Sequence, residues 1–266
     1  MPETPIQLFQ AGRLQEAIAA LNEEVRGAPT DIGRRSQLVG FLCVGGDLER
    51  AERQLVTITQ QDPSTLIQAS TLRHLLRADM ARRQVWAEGR APEFLTPPPE
   101  HVTLRLEALV YLRDGRLDEV AACLEKAEAL RPVLSGRHED VPFSDFRDLD
   151  DLTAGVLEVL TTTGKYYWVP LEHVDEIAFS APARALDTVW RQAELSVRGG
   201  TTGQIVIPAI YPTPSIDHRD AALLGRETDW VDAPAGCVRG IGQRCYLVGE
   251  ENLPVMQLTS LAFDPA

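Results

Sequence analysis

The segment Gly12-Arg13-Leu14-Gln15-Glu16-Ala17 is the first copy of a pattern that organises the N-terminal half of the chain. Four small or apolar positions recur at a spacing of 34 residues, so that Gly12, Ala17, Leu21 and Pro29 return as Gly46, Ala51, Leu55 and Pro63. A third copy begins with Gly115-Arg116-Leu117-Asp118-Glu119-Val120. This period is typical of tetratricopeptide repeats, in which each repeat is a pair of antiparallel helices. The pattern therefore predicts tetratricopeptide-like helical hairpins over residues 1–134, with a glycine at the turn between paired helices.

The stretch between the second and third copies also has helical spacing. Apolar residues across 64–89 recur at approximately helical intervals, which predicts a helix. Another face of that helix is dominated by arginines, namely Arg73, Arg77, Arg82 and Arg83. Such a face is either solvated or a basic stripe for an acidic partner. The consecutive prolines of 97–99 then predict an extended spacer.

The C-terminal half has a different pattern. A small and polar stretch over 135–140 marks the expected boundary, and residues 140–266 are predicted to form a second domain. Residues 148–160 still have helical spacing. Beyond Gly164, β-branched and aromatic residues predict strands at 166–169, 176–179, 193–197, 204–207, 243–248 and 255–261, with a turn at 249–252. The expected fold class is α+β, with helical repeats followed by a small β-rich domain that is an open barrel or a curled antiparallel sheet.

Composition excludes several classes of function. The chain has 266 residues and a formal net charge of -13. A nucleic-acid-binding protein needs a basic surface, and so does a protein that adsorbs to anionic membrane, so neither partner is expected. The N-terminus lacks a basic region followed by an apolar run, and no apolar stretch reaches the length of a membrane span, so a cytoplasmic location is expected. The four cysteines contain no C-x-x-C pair and are expected to be reduced thiols.

The acidic cluster Asp145, Asp148, Asp150 and Asp151 is the first place to look for catalysis. Paired carboxylates can bind a divalent cation or act as acid and base. The spacing does not match a calcium loop, and Arg147 lies among the carboxylates as a competing counter-ion. The alternatives are a helix N-terminus, with Asp148 as its cap, and a contact for a partner. No zinc, hydrolase, phosphate-loop or dinucleotide motif is present, so no catalytic residue, metal or cofactor is predicted.

Three tryptophans are the most prominent aromatic residues of the C-terminal half. Trp168, Trp190 and Trp230 either form the core of the β-rich domain or line an aromatic pocket. An exposed indole would be a hot-spot candidate for a protein partner. Together with Asp145, Arg147 and Asp148, the three tryptophans are therefore predicted as a possible second binding surface.

Several segments of the C-terminal half resemble the ImpE/SciE/TagJ family of bacterial type VI secretion accessory proteins. The matching segments are Phe143-Ser144-Asp145-Phe146-Arg147-Asp148-Leu149-Asp150-Asp151, Tyr166-Tyr167-Trp168-Val169-Pro170, Asp187-Thr188-Val189-Trp190-Arg191, Ile207-Pro208-Ala209-Ile210-Tyr211-Pro212, Leu224-Gly225-Arg226-Glu227-Thr228-Asp229-Trp230 and Arg239-Gly240-Ile241-Gly242-Gln243. The resemblance implies a protein that binds the small contractile-sheath subunit TssB, through a helix near the N-terminus of that subunit. It also implies a link to sheath handling by the disassembly ATPase ClpV.

The repeat pattern supplies a groove for such a helix, because stacked helical hairpins present a concave surface. Alignment of the third copy places Arg105, Leu109, Leu112 and Arg113 at this groove, with Gln10 and Ser36 as their counterparts in the earlier copies. We therefore expect a non-catalytic adaptor whose partner is a TssB-like protein, with ClpV as a possible indirect partner. Two alternatives remain open, a metal-dependent enzyme that uses the acidic cluster and a general peptide-binding repeat protein unrelated to secretion.

Overall fold

A computed structural model describes residues 3–212, 219–233 and 236–265. The N-terminal half is helical, and a short helix follows in the C-terminal half. The helices are α1 (Pro5–Gln10), α2 (Leu14–Gly27), α3 (Ile32–Val44), α4 (Leu48–Gln61), α5 (Leu66–Glu88), α6 (Glu100–Arg113), α7 (Leu117–Leu130) and α8 (Asp220–Leu223), with 3-10 turns at Pro63–Thr65, Leu171–His173 and Ala185–Thr188. No helix in these ranges is long and apolar enough to cross a membrane.

Glycines separate the paired helices as the repeat pattern predicts. Gly12 lies between α1 and α2, Gly46 between α3 and α4, and Gly115 between α6 and α7, and all three have positive φ. This left-handed conformation suits glycine because it has no Cβ to clash with the backbone. Ala17 and Ala51 are fully buried within their pairs, where a small side chain lets two helices approach closely. The local pattern therefore produces successive helical hairpins.

The C-terminal half is built from thirteen strands within the described ranges. They are β1 (Gly136–His138), β2 (Val141–Phe143), β3 (Phe146–Asp148), β4 (Val156–Thr161), β5 (Tyr166–Pro170), β6 (Val174–Phe179), β7 (Trp190–Val197), β8 (Thr202–Pro208), β9 (Thr228–Ala233), β10 (Cys237–Gly242), β11 (Cys245–Val248), β12 (Glu251–Pro254) and β13 (Ser260–Phe263). Eight form one antiparallel sheet in the order β2-β1-β13-β6-β7-β8-β4-β5, which is open because β2 and β5 are its edges. Smaller sheets pair β9 with β10 and β11 with both β12 and β3. The molecule is α+β, in agreement with the sequence.

The helix expected over 148–160 is wrong. The chain instead leaves β3, makes a series of turns and enters β4. The side chain of Asp148 accepts a hydrogen bond from the backbone N–H of Asp150, and the side chain of Asp150 accepts one from the N–H of Leu152. Aspartates that bond nearby backbone groups in this way compete with helix formation. The apolar residues at the end of this segment instead belong to β4, which is a nearly continuous buried run.

Two segments of the C-terminal half have secondary structure that the sequence did not predict. Within the stretch over 135–140, residues 136–138 form β1, which pairs with β13 at one side and β2 at the other. Gly136 permits this contact, since an added Cβ would lie 2.2 Å from the carbonyl oxygen of Ala262. The strand predicted over 255–261 is wrong except at its end, because β13 begins at Ser260. The turn predicted over 249–252 is shorter than expected, because β12 begins at Glu251.

One hydrophobic core crosses from the helices into the sheet. It joins Leu42, Leu76 and Leu109 of the helical half to Trp168 and Trp190 of the β half. A second core lies within the β half. The helical half and the β half therefore share buried surface, and a division into domains at 134–140 stays a prediction.

Candidate partner-binding cleft

A cleft with a volume of about 560 Å³ lies where the helical half meets the β half. One wall comes from the turn after α3, from α5 and from α6. The opposite wall comes from residues 189–190, 208–212 and 223, and Arg239 also lines the cleft. Its apolar lining includes Leu109, Leu112, Ile210 and Leu223. The cleft exists because the sheet packs against α5, and neither half provides both walls.

The structure brings part of the predicted groove together in this cleft. Leu109, Leu112 and Arg113 all line it. Gln10 and Ser36 are exposed but do not line it. Leu109, Leu112 and Arg113 thus line this cleft, whereas Gln10 and Ser36 lie elsewhere, and a role of these residues in binding stays a prediction.

Arg105 is not an exposed groove residue. Its side chain is only 1% exposed, and it donates to Glu128 at 2.9 Å and to the carbonyl oxygen of His101 at 3.1 Å. Burial lowers its pKa to about 10, although Glu128 opposes the shift. Arg105 lines a separate pocket of about 370 Å³ with Glu128, Asp151 and Cys237. The repeat alignment predicted that Arg105 lies at the groove, and this is wrong. Arg105 does belong to α6, but its side chain points inward and is held by Glu128.

The second surface predicted from the tryptophans is largely internal. Trp168 is fully buried, and Trp190 is 4% exposed and lines the cleft. The indole Nε1 of Trp190 donates to Asp79 Oδ2 at 3.4 Å. Trp230 is 39% exposed and packs edge-on against the Tyr211 ring. The three indoles thus form no common surface, and Trp230 is the exposed member of the set.

A buried carboxylate in β4 holds the two halves together. Glu158 accepts hydrogen bonds from Arg82 Nε and Nη2 at 2.8 and 3.0 Å, from Trp86 Nε1 at 3.2 Å and from the Tyr166 hydroxyl at 2.5 Å, and it also pairs with Arg244. Burial alone would raise the pKa of Glu158, but the charges of Arg82 and Arg244 outweigh burial and hold the pKa well below its ordinary range. Because Arg82 and Trp86 belong to α5, this ionic contact fixes α5 on the sheet.

The acidic cluster extends the same network. Asp148 is fully buried, pairs with Arg244 and accepts a hydrogen bond from the Tyr211 hydroxyl at 2.8 Å. Asp150 is also fully buried and accepts from Arg239 Nε at 2.8 Å. These carboxylates connect the turn after β3 to β10 and to Arg244, which lies just before β11. Asp148 is consequently an internal residue and not part of a binding surface.

The remaining two carboxylates are paired nearer the surface. Asp145 accepts from both terminal nitrogens of Arg131 at 2.9 and 2.7 Å, and Asp151 accepts from Arg147 Nη2 at 2.8 Å. Each of the four carboxylates therefore has an arginine counter-ion. Across residues 3–212, 219–233 and 236–265, no group of three or more His, Cys, Asp or Glu side chains is placed to hold a metal ion.

Two arginines also bind backbone carbonyl groups around the cleft. Arg83 Nη1 donates to the carbonyl oxygen of Gly46 at 2.6 Å, and Arg113 Nη1 donates to that of Val85 at 2.7 Å. Val85 lies in the last turn of α5, where a cation satisfies a carbonyl group that lacks a partner within the helix and suits its dipole, whereas Gly46 lies in the turn after α3. Their other N–H groups can still bind a ligand, since a guanidinium has five. An apolar cleft bordered by guanidinium groups that are already held in place can bind one face of an amphipathic helix.

Sequence reasoning missed the residues that create the cleft. Glu158 gave a signal, because it is a single charged residue within the apolar run of β4. A glutamate at such a position is rarely fully buried unless it is paired. Arg239 lies in one of the segments that resemble the family, but nothing in that segment indicates that its side chain pairs with Asp150. The partner Arg82 could not be identified, because it lies 76 residues from Glu158.

Comparisons with known proteins agree on one group of relatives. Residues 140–262 match the family model described as ImpE protein. The chain is 32% identical over 260 residues to the type VI secretion system accessory component TagJ of Pseudomonas aeruginosa. The aligned region covers 97% of this chain and 90% of that relative. The crystal structure of protein VPA1032 from Vibrio parahaemolyticus is similar with a TM-score of 0.92 and 32% identity, covering 98% of this chain and 97% of that one.

Proposed function

Because the chain belongs to the ImpE family of type VI secretion accessory proteins, we propose that it is a non-catalytic cytoplasmic adaptor that binds the small sheath subunit. The partner is a TssB-like protein, which offers an amphipathic helix near its N-terminus. The adaptor would thereby connect this subunit to sheath assembly or to disassembly by ClpV. The helical hairpins, which we interpret as tetratricopeptide-like, supply one wall of the binding site.

The observation that carries this proposal is the apolar cleft between the two halves. Leu109 and Leu112 lie one turn apart on α6, and Ile210 and Leu223 line the opposite wall. Apolar side chains spaced at three and four residues on a partner helix can enter a groove of this kind. Arg113 follows at the end of α6, next to the apolar lining. This combination favours a helix with one apolar and one polar face.

The acidic cluster favours the adaptor over the metal-dependent enzyme. Each of its carboxylates is bound to an arginine, and Asp148 and Asp150 have no exposed surface. A metal ion would have to displace a guanidinium from a buried pair, which leaves an uncompensated charge and is strongly destabilising. The ion pairs between these carboxylates and arginines are better suited to a structural role, in which they fix the positions of the residues around the cleft.

Titration calorimetry tests the proposal. The titrant is a synthetic peptide with the sequence of the N-terminal helical segment of the small sheath subunit encoded beside this protein. We expect saturable one-to-one binding that Leu112→Ala weakens by about tenfold, because truncating a hot-spot side chain at an interface costs more than about 1 kcal/mol. Val110→Ala is the matched control, since Val110 lies on the same helix, is 45% exposed and does not line the cleft.

Three outcomes would contradict parts of the proposal. Absence of binding at high micromolar peptide would refute the adaptor function as stated. Binding that Leu112→Ala leaves unchanged would keep the partner and remove the cleft as its site. Equal affinity for a scrambled peptide of the same composition would indicate a general peptide-binding protein.

A further inference from the structure

The cleft has a positive lining on an acidic protein. The chain carries a formal net charge of -13, yet the charged residues that line the cleft are Arg82, Arg83, Arg113, Arg239 and a single acid, Asp79. Such a local reversal of charge attracts a partner of opposite sign to one place on the surface. The positive lining therefore favours a partner that carries negative charge where it enters the cleft.

Two of these arginines are already neutralised within the protein. Arg82 pairs with Glu158 at 2.8 Å, and Arg239 pairs with Asp150 at 2.8 Å. Both arginines are 7% exposed. They are consequently part of the internal network, and a ligand would have to break a buried ion pair to engage either charge fully.

Arg113 and Arg83 remain available. Within the described residues, Arg113 has no carboxylate within 4.0 Å, and its assigned hydrogen bond is the one to the carbonyl oxygen of Val85. Arg83 is 48% exposed, and the nearest oxygen of Asp79 lies at 4.0 Å, the limit for an ion pair. Because each guanidinium is already held by a backbone carbonyl oxygen, little side-chain entropy is lost when a carboxylate binds. The two arginines are thus preorganised cations at the cleft.

The negative charge of Asp79 affects where in the cleft a carboxylate of the partner can bind. It is 7% exposed, and its Oδ1 is buried without a hydrogen-bond partner, although Arg82 Nη1 lies 3.9 Å away. A second carboxylate placed beside this buried oxygen would be repelled. An acidic side chain of the partner is therefore favoured at Arg113 and Arg83, and disfavoured at the more buried position of Asp79.

We propose that the cleft selects an amphipathic helix with an Asp or Glu side chain at the border of its apolar face, and that Arg113, assisted by Arg83, binds this carboxylate. The inference rests on the proposed function, since it specifies the chemistry of the helix that the adaptor binds. Arginine is well suited to this role, because its planar guanidinium can form two parallel hydrogen bonds with one carboxylate. The apolar side chains of the helix would then contact Leu112 and its neighbours.

A charge-reversal cycle tests the inference on the full-length protein. The probe is the same sheath-subunit peptide, together with single variants in which each Asp or Glu is changed to Lys. We expect Arg113→Glu to weaken binding of the unmodified peptide by about tenfold or more. One Lys peptide should lose affinity for the original protein and regain at least part of it with Arg113→Glu. The affinity of the original pair should also fall with added salt.

Arg53→Glu is the matched control, since Arg53 is exposed on α4 and does not line the cleft. Arg83→Gln is a second variant in case Arg113→Glu disturbs the end of α5, and we expect it to cause a smaller loss of affinity. Thermal melting of each variant identifies any folding defect.

The outcomes separate the two proposals. If the unmodified peptide binds but no Lys peptide is rescued by Arg113→Glu, and Arg83→Gln has no effect, the charge selection is refuted while the adaptor function stands. If Arg53→Glu weakens binding as much as Arg113→Glu, the effect is one of net charge and the inference fails. If the unmodified peptide does not bind at all, the proposed function and this inference fail together.

Discussion

Glu158→Gln should show how strongly the buried network holds the fold. The change preserves the size of the side chain but removes a negative charge that pairs with Arg82 and Arg244, both of which are buried. Removing one partner of a buried ion pair typically costs about 3–5 kcal/mol, because the other charge is left uncompensated. For a chain of this size, a loss of that order lowers Tm by roughly 10 °C.

The loss of stability caused by Glu158→Gln should depend on pH in a known direction. The pKa of Glu158 in the folded protein lies below its ordinary value of 4.5. A depressed carboxyl pKa contributes stability that is fully present above the ordinary value and is lost as pH falls through the folded pKa. The difference in unfolding free energy between the original protein and Glu158→Gln should therefore be largest near neutral pH and shrink below about pH 4.5.

Urea unfolding at a series of pH values measures both effects. Glu194→Gln is the matched control, because Glu194 is an exposed strand residue whose side chain accepts one hydrogen bond, from Gln204 at 3.0 Å. We expect the control to change stability by less than about 0.5 kcal/mol. A loss below about 1 kcal/mol for Glu158→Gln, or a difference that stays constant down to acid pH, would refute the role assigned to the network.

Three further predictions concern the helical half. Gly46→Ala should destabilise the protein by about 1–2 kcal/mol in urea unfolding, because φ is +79° and an added Cβ would lie 3.1 Å from a guanidinium. Gly40→Ala in the middle of α3, where an added Cβ meets nothing within 4 Å, should be neutral or stabilising, and equal effects of the two changes would contradict the turn geometry. Burial raises the pKa of Cys43 to about 12, so alkylation followed by mass spectrometry should label the partly exposed Cys123 first, and faster labelling of Cys43 would argue against its burial. Arg226 donates to two carbonyl oxygens at the end of α1, so Arg226→Ala should speed amide hydrogen exchange in α1, and unchanged exchange would show that this contact contributes nothing.

The helical half was largely predictable because its information is local. A hairpin of two helices lies within one repeat, and glycines such as Gly12 and Gly46 mark the turns by their own conformational freedom. The strand β1 was missed for the opposite reason. Its sequence, Gly136-Arg137-His138, has no β-branched or apolar pattern, and it is a strand because Gly136 pairs with Phe263 at the other end of the domain.

The site was only half predictable for the same physical reason. The position of Leu109, Leu112 and Arg113 in the lining of the cleft could be anticipated from the spacing of α6 within the third repeat copy, while their role in binding stays a prediction. The opposite wall depends on how the sheet packs on α5, which is determined by contacts such as that between Arg82 and Glu158. Trp190 was predicted as part of a second binding surface, and its own segment could not show whether its side chain faces solvent, the core or the cleft.

Site-specific photocrosslinking tests the central claim most directly, namely that the sheath-subunit helix lies in the cleft between the two halves. The photoreactive amino acid p-benzoylphenylalanine would replace Leu112 in one protein and Val110 in another, each mixed with the intact small sheath subunit. The account predicts a crosslinked product from position 112, competed away by the free helical peptide, and little product from position 110. Equal capture at both positions, or capture only at position 110, would contradict it.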